Sequence, residues 1–134
     1  MQLVIAFFMS AIAFGVLDFI WLSLMGPRLY RPQLGDLMGA GVNWGPAIAF
    51  YLIYVAAFVL LIVAPALATR TPAQALINGA IFGLAAYATY NLTNWATLRH
   101  WSAQVTMFDM AWGAIATGLA CWIGVTLTLM FAAR

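Results

Sequence analysis

Four long apolar stretches separated by short polar connections dominate this chain of 134 residues. A helix crossing a bilayer needs about 20 mostly apolar residues, and each stretch reaches that length. The first predicted helix covers about residues 2–25 and stops at "GPRLYRP", where Pro27 and Pro32 should end helical geometry. The second starts near "GPAIAF", with Pro46 in its first turn, and covers about 46–68. The third opens at "TRTPAQ", where Thr71, Pro72 and Gln74 resemble a capping box with proline at the first helical position, and covers about 73–97. The fourth begins after Ser102 and covers about 103–132. The predicted fold is all-α: an integral membrane bundle of four transmembrane helices forming one domain over residues 1–134.

The connections are unequal. The second and third are about six residues long, so the helices they join must run antiparallel. The first, "GPRLYRPQLGDLMGAGVNWG", is longer and gathers much of the polar chemistry, as functional loops tend to. Gly79 and Gly83 form a G-x-x-x-G on the third helix, and Ala120 with Gly124 a small pair on the fourth. Both predict close helix packing, within one chain or between two.

The polar residues inside these spans cluster at one depth. With the N-terminal side named face A, the first helix ends at face B, and Asp18 lies ~10 Å inside it at ~1.5 Å per residue. The fourth helix begins at face B and carries Asp109 at a matching depth. Trp21 and Trp112 each follow an aspartate by three residues, on the same helical face. On the third helix Tyr87, Tyr90, Asn91 and Asn94 make one stripe near face B, and Tyr51 and Tyr54 lie in the first turns of the second helix. Face A has little to match them, Asn78 being the main exception.

Composition agrees with a membrane setting. The chain is 66% hydrophobic and 6% charged, against about 25% charged in an average soluble domain. It has no Lys and no Glu; its ions are Arg28, Arg31, Arg70, Arg99, Arg134, Asp18, Asp36 and Asp109. A net charge of +2 without any basic run excludes nucleic acid as a partner. Lone Cys121 in an apolar run reads as a small buried side chain. The N-terminus, with no basic residue before its apolar run and no A-x-A site near its end, reads as a retained span. Trp44, Trp95 and Trp101 at face B read as an interfacial belt. The arginines favour face B by three to two, a weak pointer to a cytoplasmic face B.

The ordered pattern "LDFIWL…YRPQLGDLM…VNWGPAIAFYLIY…YATYNLTNWATLR…DMAWG" resembles, over nearly the whole length, a family of small bacterial inner-membrane proteins known only as domain of unknown function two-one-seven-seven. The resemblance implies a four-helix protein of the bacterial cytoplasmic membrane without an assigned activity. Genes of its members often stand beside those for lipid-modifying enzymes and stress regulators, a weak contextual hint towards membrane-lipid chemistry.

An ionisable residue within a span marks a functional site by default. Asp18 and Asp109 are therefore the candidate acid/base or proton-binding pair. Trp21, Trp112, Tyr51, Tyr54, Tyr87, Tyr90, Asn91 and Asn94 are the candidate ligand contacts, with Arg28, Arg31 and Arg99 at the mouth to hold an anionic head group. Asp18, Asp109 and His100 have metal-binding donor types, but no ligand spacing supports a metal, and no cofactor signature is present. The favoured expectation is a pocket in one leaflet that binds or modifies a membrane lipid or another hydrophobic small molecule. A proton- or cation-coupled transporter working as a homodimer is the first alternative. A non-catalytic subunit or assembly factor of a larger membrane complex is the second.

Overall fold

A computed structural model describes residues 1–133; Arg134, counted above among the charges of face A, lies outside them. Four long helices form the molecule: α1 (Gln2–Leu37), α2 (Trp44–Thr69), α3 (Pro72–Thr97) and α4 (Ala103–Ala132). Among the described residues there is no strand. Helices α1, α2 and α4 are long and apolar enough to cross a membrane. Helix α3 has the length but is not among these three, because Gln74, Asn78, Thr89, Asn91, Thr93 and Asn94 dilute its apolar run.

The first helix does not stop at its prolines. It runs as α-helix to Met25, widens into a π turn over Gly26–Tyr30, and continues through Arg31–Leu34 and a final tight turn at Gly35–Leu37. The π turn explains why Pro32 is tolerated. In an α-helix its ring would clash with the carbonyl four residues back, and the wider turn moves that carbonyl aside. The Arg31 N–H reaches back five residues to Gly26 O. Helix α2 repeats the device: a π turn at Val59–Val63 precedes Pro65, and the Ala64 N–H bonds Val59 O. Most of the predicted long first loop is therefore helix, and the true connection is 38–43.

Two caps differ in quality. Ser102 caps α4 by accepting the Val105 N–H at 3.1 Å. The capping box expected at Thr71 does not form. Thr71 Oγ1 pairs with Thr69 Oγ1 at 2.6 Å, and Gln74 turns away to donate to Asn78 Oδ1 at 2.9 Å. The helix still begins at Pro72, whose missing N–H needs no partner there.

Helices α3 and α4 form the tightest pair, and α1 lies along the other side of α4. A Cβ on Gly79 would stand 2.9 Å from Cys121 Sγ, and one on Gly83 would stand 2.6 Å from Thr117 Oγ1 and closer still to the Gly113 carbonyl. Gly124 meets Ser10 of α1. The small-residue motifs thus serve packing within the chain, and the Cys121 thiol is buried in that seam. Helix α2 leans on this core through its second half: Phe58, Val59, Ile62 and Val63 bury against Phe14, Ala116, Ala120 and Val125. Its first half stands away from α3 and leaves a gap.

Candidate functional site

Beside that gap Asp18 and Asp109 are each 8% exposed and hydrogen-bonded through both carboxylate oxygens. A carboxylate inside a low-dielectric bundle needs donors, and each has two. On α1, Asp18 accepts the Trp112 indole N–H at 3.2 Å and the Tyr51 hydroxyl. On α4, Asp109 accepts the Tyr30 hydroxyl at 2.5 Å and the Asn91 amide at 2.6 Å. Asn91 is wholly buried, and its amide also donates to Tyr87 O at 3.0 Å. Tyr30 in turn accepts the Trp21 indole N–H at 2.9 Å.

The partners are exchanged between helices. Trp21 shares a helix with Asp18 but supports the Asp109 cluster through Tyr30. Trp112 shares a helix with Asp109 but bonds Asp18. Between the two clusters the indole rings stack, with centroids 4.6 Å apart and planes within 3°. Residues from all four helices thus meet in one layer, tied by charge-assisted hydrogen bonds and one aromatic stack.

Next to this layer lies a cleft of about 430 Å³ lined by Phe50, Tyr54, Ala86, Tyr87, Tyr90 and Asp109. It occupies the gap between the first half of α2 and the face-B half of α3. Phe50 and Tyr54 stack at 5.2 Å, and Tyr54 and Tyr87 face one another at 6.3 Å and 59°. Tyr54 is held by a 2.7 Å hydrogen bond to Thr117. Tyr87 presses its ring onto Gly113, where any side chain would collide with it. Tyr90 is 55% exposed and packs edge-on against Trp101, whose indole N–H bonds Thr106 at 3.0 Å. The walls are aromatic and well supported, and the ionisable group among them is Asp109.

The residues singled out in the sequence divide into three sets. Asp18, Asp109, Trp21, Trp112, Tyr51 and Asn91 meet in the hydrogen-bonded layer, and Tyr54, Tyr87 and Tyr90 line the cleft. Asn94 is half-buried, one turn beyond Asn91 and outside the layer. Arg28, Arg31, Arg99 and His100 are exposed. Among the described residues no three of His, Cys, Asp and Glu gather as a metal site would require.

Tyr30 falls within "GPRLYRP", which the sequence pattern assigns to the first connection. Nine residues of regular helix, at ~3.6 per turn, would point it away from Trp21; the π turn at Gly26–Tyr30 brings the two together. Regular periodicity carries no signal for that contact. Phe50, Ala86 and Thr117 read along a single helix as ordinary span residues, and only the packing of helices brings them to the site.

An all-helical chain with three membrane-length apolar helices and a buried polar layer defines a helical membrane protein. The model of a family described as predicted membrane protein (DUF2177) matches residues 3–126, and the chain belongs to that family. No curated protein and no solved structure matches it.

Proposed function

We propose that all four helices cross the bacterial cytoplasmic membrane and that the protein holds a lipid or other hydrophobic small molecule in the cleft between α2 and α3. The observation carrying this reading is the cleft itself: aromatic walls around one buried carboxylate, at a seam where helices part. Its 430 Å³ falls within the ~300–1,000 Å³ of small-molecule pockets, which combine apolar linings with a few fixed polar groups. An apolar molecule in the bilayer reaches such a seam sideways. In this reading Asp109 is the ligand-facing carboxylate, and Asp18 holds the wall in place through Tyr51 and Trp112. The arginines, outside the cleft, meet the membrane surface.

A transporter finds less support. Beyond the polar layer towards face A the bundle is closed by Phe14, Phe58, Val59, Val63 and Val125, all at most 2% exposed. A binding site with a closed floor fits that packing better than a path across it.

The test is native mass spectrometry of the protein released from mild detergent. Wild type is expected to retain a bound hydrophobic molecule, and Ala86→Trp, which fills the cleft, to lose it; Ala86→Leu is the milder control. Equal retention by wild type and both variants would show the adduct to be annular and would remove the cleft as its site.

A further inference from the structure

We infer that the occupant of the cleft is an amphiphile with an ammonium head and no anionic group beside it, its ammonium seated against Asp109 among the aromatic rings. This rests on the cleft being the ligand site and adds the chemistry of what it takes.

Three observations converge. The Asp109 carboxylate faces the cleft with only neutral donors on it, the Tyr30 hydroxyl on Oδ1 and the Asn91 amide on Oδ2. Each oxygen keeps a free lone pair for a further donor. The counter-charge does not come from this chain's described residues: Arg28, Arg31, Arg70 and Arg99 are all exposed, and there is no Lys. Finally, the walls are Phe50, Tyr54, Tyr87 and Tyr90. Ring faces attract a cation through their quadrupole, and several around a carboxylate are how quaternary ammonium groups are recognised.

The same residues select against other heads. A carboxylate or phosphate would meet Asp109 with like charge. A zwitterionic phospholipid would bring its phosphate within a few bonds of the ammonium, and no cation lines the cleft to receive it. A neutral alcohol could donate one hydrogen bond to Asp109 but would leave its charge uncompensated.

The experiment uses the full chain in uncharged maltoside micelles and reads binding by native mass spectrometry and thermal shift. Probes are decyltrimethylammonium, decanol, decanoate and phosphatidylethanolamine. The expected result is one decyltrimethylammonium per chain, bound at least tenfold tighter than the other three. Asp109→Asn should weaken it tenfold or more. Phe50→Leu, at a site 46% exposed where folding is not in question, should weaken it severalfold. Decanol binding as tightly as the cation, phosphatidylethanolamine displacing it, or cation binding unchanged in Asp109→Asn and Phe50→Leu would each overturn the ammonium assignment. If decanol and the cation bind alike and Ala86→Trp blocks both, the cleft stands and only its proposed chemistry falls. Should no probe bind, or Ala86→Trp change nothing, the cleft itself fails as a ligand site.

Discussion

The two aspartates look interchangeable along the chain, each in a span and each followed by a Trp, but their surroundings separate them. Asp18 is bonded by Tyr51 and Trp112 and does not line the cleft, whereas Asp109 does. Asp18→Ala should therefore act on stability. It strands the Trp112 indole N–H, a donor with no capacity to accept, and a buried unsatisfied donor costs about 1–3 kcal/mol. Chemical unfolding in detergent should show that loss while ligand retention stays near wild type; a fully stable variant would mean Trp112 has another acceptor. Tyr30→Phe should also destabilise by about 1–3 kcal/mol, since it strands the Trp21 N–H and removes a donor from Asp109. Combined with Asp109→Asn it should cost less than the sum of the two, because both act on one hydrogen bond. Strict additivity in that double-mutant cycle would separate Tyr30 from Asp109. The sequence disclosed the aspartates because any charge in an apolar span stands out. It hid Tyr30 because a hydroxyl beside two prolines looks like loop chemistry.

At the scale of the elements, helix count and order were legible from apolar run lengths, and the ends of α3 and α4 lie close to where proline and serine mark them. The end of α1 was misplaced because proline signals a break only in a regular α-helix. A π turn before Pro32, and another before Pro65, supplies the space each ring needs. Glycine spacing predicted close packing, but only the structure distinguishes the glycines from one another. On Gly83 a methyl group would overlap the Gly113 carbonyl and Thr117, while on Gly15 it would meet nothing within 4 Å. Gly83→Ala should destabilise the α3–α4 pair by about 1–3 kcal/mol, the usual cost of overpacking. Gly15→Ala should be neutral, or stabilising by up to about 1 kcal/mol from helix propensity. Unfolding midpoints measured side by side would check the contrast, and equal effects would mean the seam relaxes around the added methyl.

For the whole molecule, α3 sets the question of how the bundle enters a membrane. It carries Asn91 and much of the cleft wall, and it is the one long helix not apolar enough for crossing on composition alone. Its buried side explains how it could still span. Ala75, Gly79, Gly83 and Asn91 all bury in the bundle, so its backbone fits close against α4 and the Asn91 NH2 group donates to Asp109 rather than facing lipid. Helix α4, with a mean hydropathy of 1.9 in its most apolar window, would then carry α3 in as one antiparallel hairpin. The prediction is that α3 fused alone to a topology reporter inserts poorly, whereas α3 with α4 inserts efficiently. Asp109→Leu should make α4 more hydrophobic and still reduce insertion of the hairpin, because Asn91 loses its acceptor on the neighbouring helix and keeps only Tyr87 O of its own. In the intact protein, Thr71→Cys and Leu98→Cys, at the two ends of α3, should label from opposite sides of the membrane. Labelling of both from one side would place α3 along the surface and would leave the cleft without the wall that the bilayer-spanning arrangement gives it.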